Sequence, residues 1–162
     1  MTENRSTAPD SVVLSKTAEI CLGHGNQPDA LLEILHDLQH ALGHIPERAL
    51  PAIAKALNLS RAEVHGVVTF YHDFRRQPAG RHVVKVCRAE ACQAMGANAL
   101  VASIEKTLKI KLGETTADGS VTLEAVYCLG NCALSPAMLV DEKLVGRVDG
   151  AKFARMAAGL QA

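Results

Sequence analysis

The chain has 162 residues, 48% apolar and 21% charged, enough for a packed core in one ordinary domain or a small domain with a helical annex. Its 17 basic and 17 acidic residues cancel, and aromatic residues make up 3% with no Trp, which argues against a phosphate-backbone partner and against a base-stacking or carbohydrate platform. No apolar run approaches the ~20 residues of a membrane helix, and the polar stretch Met1 to Pro9 lacks a signal-peptide core. The expectation is a cytoplasmic protein with a flexible N-terminus over 1–9, no nucleic-acid partner and no direct membrane insertion.

The first half reads as helix. A helix is expected over about Val12 to Leu22, stopped by Gly23 and Gly25. From Asp29, read as an N-cap, Leu31, Leu35, Leu38 and Leu42 form an apolar seam at helical spacing with Ile34 beside it, and Gly43 is the stop. Pro46 suits the first turn of a third helix that runs to Leu57 with Leu50, Ile53, Ala54 and Leu57 inward, and Pro51 offsets or kinks its start. Ser60-Arg61-Ala62-Glu63 is a capping-box pattern ahead of Val64, Val67, Val68 and Phe70. The polar stretch Arg75 to Arg81, with Pro78 and Gly80, marks a boundary. After it the period changes. His82 to Val86 is β-branched and reads as a strand, and Leu100, Ile104 and Leu108 mark one helix over 93–110. Asp118-Gly119 is a turn, Val121 to Tyr127 a strand, and Ala137 to Val140 with Leu144 to Val148 a hairpin around Asp141 to Lys143. Phe153 to Leu160 closes as a helix. The order is one βαβ crossover, then a hairpin and a helix.

Four of the five cysteines fall into two close pairs, Cys87 with Cys92 and Cys128 with Cys132. In a reducing compartment such pairs bind metal or do redox chemistry more often than they form disulfides. Cys87 follows the first strand, Cys92 lies at the mouth of the next helix, and Cys128 follows the second strand. If the two strands are parallel neighbours, their C-terminal ends share one sheet edge, where ligands of open α/β sheets sit. Four thiolates there match a two-iron cluster, two per iron. Amides at the start of the 93–110 helix, Gly130 and Pro136 would shape the surroundings. On spacing alone a four-cysteine zinc site stays open, although C-x4-C with C-x3-C is less usual for it.

At these residues the sequence is recognisable. GETTADGSVTLEAVYCLGNCALSPAMLV and LLEILHDLQHALGHIPERALPAIAKALNLSRAEVHGVVTFYHDF resemble the 24-kDa subunit family of NADH:quinone oxidoreductase, over roughly residues 28–148. The resemblance implies an α+β chain: a helical bundle over 10–75, a linker over 76–81 and a thioredoxin-like [2Fe–2S] ferredoxin domain over 82–162. It implies Cys87, Cys92, Cys128 and Cys132 as the cluster ligands. It implies an electron-transfer role beside a flavin- and NAD-binding subunit, with FMN, NAD and further iron–sulfur clusters in partner chains. Within the family, HDFRRQPAGRHVVKVCRAEACQAMG looks more like the gamma subunit of NAD-dependent formate dehydrogenase, whose larger catalytic subunit carries a molybdenum cofactor. The alternative hosts are respiratory NADH:quinone oxidoreductase and NAD-linked hydrogenase; a zinc-stapled assembly module and a free-standing ferredoxin are further alternatives.

Neither a G-x-G-x-x-G after a strand nor a P-loop occurs, and no nucleophile, base and orienting residue form a set, so no catalytic residue and no substrate site are expected in this chain. His36, His40 and His44 are spaced to share one helix face, read as solvated surface opposite the leucine seam. Cys21 is read as a small core residue. GVVTFYHDF is apolar enough for core or interface, with core the first expectation and docking against the flavoprotein the other. His65 and His72, which flank it, are assigned no chemistry.

Overall fold

A computed structural model describes residues 9–160. Apart from Pro9, the expected flexible N-terminus lies outside the described residues. The chain divides into two compact units between Pro78 and Ala79.

The first unit contains α1 (Asp10–Gly23), α2 (Leu31–Leu42), α3 (Leu50–Leu57) and α4 (Arg61–Phe70). Val13, Thr17 and Cys21 recur every four residues along α1, which brings them to one buried stripe. Thr17 is tolerated there because its hydroxyl donates to the Val13 carbonyl at 2.7 Å. Leu31, Ile34, Leu35 and Leu38 of α2 join them with Ile53, Leu57, Val64 and Val68, so the apolar seams read from the sequence meet in one core. Gly43 ends α2 in the left-handed conformation at φ 75°. The capping box forms in full: Ser60 Oγ accepts from the Glu63 amide at 3.1 Å and Glu63 accepts from the Ser60 amide at 2.8 Å.

Several local expectations are corrected. Asp29 does not cap α2. It lies inside a 3-10 turn, Pro28–Ala30, and α2 starts without a side-chain cap. A second 3-10 turn, Glu47–Ala49, absorbs the start expected at Pro46. Pro51 therefore occupies the first turn of α3, where its missing N–H costs nothing. His44 falls past the end of α2 and is buried, its Nδ1 3.1 Å from the Leu42 carbonyl, while His36 packs on Phe74 with ring centroids 4.9 Å apart. The three histidines do not form one solvated face, because Gly43 ends the helix before His44. Phe70 is 72% exposed and Tyr71 43% exposed, so the core reading fails for this part of GVVTFYHDF, while Val68 and Phe74 are buried.

The second unit contains β1 (His82–Cys87), α5 (Glu90–Ala94), α6 (Ala97–Leu108), β2 (Val121–Val126), β3 (Met138–Val140), β4 (Lys143–Val145) and α7 (Gly150–Leu160). The sheet order is β2-β1-β3-β4. β1 and β2 are parallel with Cys87 opposite Val126, and the β3–β4 hairpin runs antiparallel beside β1. Val84, Val86, Val121, Leu123, Met138 and Val140 share a core with Leu100 and Ile104 of α6 and Phe153 and Ala157 of α7. One sheet face is thus covered by both helices, as the period-2 strands and period-3.6 helices require. Ahead of β1, the Gly80 amide donates to Thr122 Oγ1 at 2.6 Å and the Arg81 amide to the Gly119 carbonyl at 3.1 Å. The single helix expected over 93–110 is two helices. Gly96 at φ 92° breaks the path, so Cys92 lies within α5 and not at the mouth of a long helix.

Candidate metal centre

Parallel pairing of β1 and β2 puts their C-terminal ends side by side, and all four paired cysteines gather there. Cys87 is the last residue of β1. Its amide donates to Ala137 at 3.0 Å, and the next amide, of Arg88, donates to Val126 at 2.8 Å, so the strand end is held from both sides. The chain then bends back into α5, with Gln93 Nε2 closing the bend on the Arg88 carbonyl at 2.8 Å. This brings Cys92 into contact with Cys87, and both are buried with Ala97 and Ala137. Cys128 lies two residues past β2, and Cys132 opens a 3-10 turn, Cys132–Leu134. Their sulfurs are 4.0 Å apart and exposed.

The polar groups around the sulfurs are mostly backbone amides. Burial pushes the Cys87 thiol up. Hydrogen bonds from the Ala89 amide, the Cys92 thiol and the Cys128 and Leu129 amides outweigh that and leave it below the ordinary cysteine value. Cys132 is pushed up, first by its hydrogen bond with Cys128 and then by the charge of Cys128, Cys92 and Cys87. Cys132 thus lies within electrostatic reach of the other three sulfurs. Gly130, at φ 72°, folds its amide back to within 3.4 Å of Cys128 Sγ. The loop around Gly130 brings amides to the sulfurs as expected, whereas the donors expected from the start of a 93–110 helix are replaced by one at the entry to α5. That one is the Ala89 amide, and the others come from the Cys128–Gly130 loop.

Two features of the site were not legible in the sequence. Cys128 has φ 95°, a conformation that costs a non-glycine residue about 1–3 kcal/mol and persists only where the surroundings impose it. Ser135, buried ahead of a cis peptide bond to Pro136, meets Cys92 Sγ at 3.5 Å and donates to the Cys132 carbonyl at 2.7 Å. A hydroxyl three residues beyond the C-x3-C pair, directly before a proline, is the only local signal that marks it.

Four soft donors in two pairs, surrounded by N–H groups aimed at sulfur, fit a cluster that takes two thiolates per iron. Among the described residues, no three His, Cys, Asp or Glu side chains form a group for one ion. Cys21 belongs to the buried core of the helical unit, where loss of hydration pushes its thiol up.

A βαβ unit followed by a hairpin and a helix, with two cysteine pairs on the shared strand edge, defines the class: a thioredoxin-like iron–sulfur protein with a helical N-terminal part. The family model of the thioredoxin-like [2Fe–2S] ferredoxins matches residues 17–161, and the chain belongs to that family. It is 39% identical over 153 residues to a subunit of the NADH-quinone oxidoreductase of Pseudomonas aeruginosa, covering 91% of this chain and 92% of that one. The like-named subunit from Escherichia coli (strain K12) is 39% identical over 147 residues, 88% of this chain and 89% of the relative. The HndA subunit of the NADP-reducing hydrogenase of Solidesulfovibrio fructosivorans is 36% identical over 118 residues, 73% and 69% of the two chains. Among solved structures, the H2-reduced NAD+-reducing [NiFe]-hydrogenase superposes with a TM-score of 0.72 at 24% identity over 84% of this chain, which shows the shared fold. This chain spans 23% of that hydrogenase chain.

Proposed function

We propose that this chain is the electron-transfer subunit of an NAD-linked oxidoreductase and holds one [2Fe–2S] cluster on Cys87, Cys92, Cys128 and Cys132. The observation that carries the proposal is the meeting of two cysteine pairs at one sheet edge, each served by backbone amides, in a chain of this family. When bound, such a cluster accepts and releases one electron at a time, which suits it to a flavin that takes up a hydride pair and returns electrons singly. The chain's own residues hold and insulate the site. Buried Cys87 and Cys92 form its inner side, exposed Cys128 and Cys132 its solvent side, and amides of Ala89, Cys128, Leu129 and Gly130 favour negative charge on sulfur. The helical bundle over 10–75 and the cluster domain over 82–162 are the two parts of this subunit, and the chemistry on substrate belongs to partner chains.

The host we propose is a cytoplasmic NAD-dependent formate dehydrogenase, with FMN and NAD on the flavoprotein and the molybdenum cofactor on a larger iron–sulfur subunit. The support is the Cys87–Cys92 loop, CRAEACQAMG, and its flank from His72. A second reading, the corresponding subunit of NADH:quinone oxidoreductase or a hydrogenase, is favoured by the names of the relatives. Among the described residues, no helix is long and apolar enough to cross a membrane. The exposed pair Phe70 and Tyr71 on the helical bundle is the surface proposed to meet the flavoprotein. Affinity purification of the tagged chain from its own cells tests host and contact together. A co-purifying molybdenum subunit supports the formate host, proton-pumping subunits or a nickel hydrogenase subunit overturn it, and a Phe70→Asp variant should lose the flavoprotein.

A further inference from the structure

We propose that the Ser135 hydroxyl tunes the reduction potential of this centre by donating a hydrogen bond to the sulfur of Cys92. The inference rests on the cluster reading above. Ser135 is 8% exposed and Cys92 2% exposed, so the two side chains meet in a buried setting. The Cys92 thiol donates to Ser135 Oγ at 3.5 Å, and Ser135 in turn donates to the Cys132 carbonyl at 2.7 Å. The hydroxyl thereby links Cys92 of one pair to Cys132 of the other, 40 positions on in the sequence.

Metal binding removes the thiol proton of Cys92. The sulfur then faces Ser135 as an acceptor only, and the single hydroxyl proton has two acceptors within reach, the Cys132 carbonyl and the Cys92 thiolate. A charged sulfur is the stronger pull in a buried, low-dielectric setting. An added electron increases charge on the ligand sulfurs and draws the proton further toward Cys92, while the proton itself stays on Ser135. A donor of this kind stabilises the reduced form and raises the potential. At Cys87 and Cys128 the identified sulfur donors include backbone amides, which substitution leaves in place. At Cys92 the donor is a side chain, so a serine is a point at which the potential of this centre can be set independently of the fold.

The test uses the full chain, purified anaerobically as wild type, Ser135→Ala and Ser135→Thr, with iron and sulfide assayed and the reduced signal followed in a redox titration. The expected result is equal cluster content in all three, a more negative midpoint for Ser135→Ala, and a midpoint returned toward wild type for Ser135→Thr. An unchanged midpoint in Ser135→Ala overturns the proposal. If Ser135→Ala does not load, electron–nuclear double resonance of the reduced wild type after deuterium exchange decides. A strongly coupled exchangeable proton that is not an amide proton, and is retained in Ser135→Thr, supports the donor role; a wild type whose coupled exchangeable protons are all amide protons overturns it. A wild-type protein with zinc and no sulfide overturns the cluster reading itself, an outcome separate from the others.

Discussion

Gly146, just past β4, offers a way to disturb the metal centre without touching a cysteine. A Cβ built there would lie 2.6 Å from Leu134 Cβ, 2.8 Å from Asn131 Nδ2 and 2.9 Å from the Leu134 carbonyl oxygen. Carbon atoms in contact sit about 3.5–4.0 Å apart, so roughly 1 Å of movement is needed. Rotating a side chain does not supply it, because a Cβ and a carbonyl move only with the backbone. That backbone is the turn Cys132–Leu134, which is tied to the same strand end: the Arg147 amide donates to Leu134 at 2.6 Å and the Val148 amide to Pro136 at 2.9 Å. Overpacking of this kind costs about 1–3 kcal/mol, and the entropy that alanine removes from the unfolded chain returns about 0.4–1 kcal/mol. Gly146→Ala is therefore expected to lose roughly 1–2 kcal/mol in denaturant unfolding and to retain less iron and sulfide per chain. Gly150→Ala is the matched control. Its closest contact, at 2.5 Å, is Ser103 Oγ, the free end of a side chain; the next, Ser103 Cβ at 3.2 Å, asks for only a few tenths of an ångström, and the site at the start of α7 gains helix propensity. Gly146→Ala that unfolds like wild type and loads iron fully would refute the reasoning.

Single Cys→Ser substitutions at Cys87, Cys92, Cys128 and Cys132 should each lower iron and sulfide content. Cys21→Ser should leave that content intact and destabilise the helical bundle by about 1–3 kcal/mol, since a hydroxyl replaces a thiol in an apolar site; equal metal loss in all five variants would contradict the assignment. Asp118 is held at about 2, below its ordinary 3.8, by the Thr116 hydroxyl and then by the amide and hydroxyl of Ser120. Because the folded value is depressed, its contribution to stability is complete above the unfolded value and is lost as pH falls through 3.8 toward about 2. Asp118→Asn should flatten the stability profile in that window alone, and a carboxyl resonance of Asp118 titrating at an ordinary value would refute it.

Much of the fold is written locally in this chain. The leucine seam of α2, the capping box of α4, the β-branched runs of β1 and β2 and the turn at Asp118-Gly119 report periods and caps that each segment carries in its own residues. The two-pair cysteine pattern is equally local, and strand-end placement followed from parallel pairing of β1 and β2. What periodicity cannot carry is the partner across space. His44 belongs to the spacing of α2 but is buried because Gly43 turns the chain at φ 75°. Phe70 continues the apolar run of α4 yet stays exposed, since burial depends on which neighbour arrives and not on hydropathy. Four thiols at one edge were determined by the sequence. The left-handed backbone of Cys128, and the meeting of Ser135 with Cys92 across 43 residues, were decided only by tertiary packing, because both depend on loops that the sheet edge forces together.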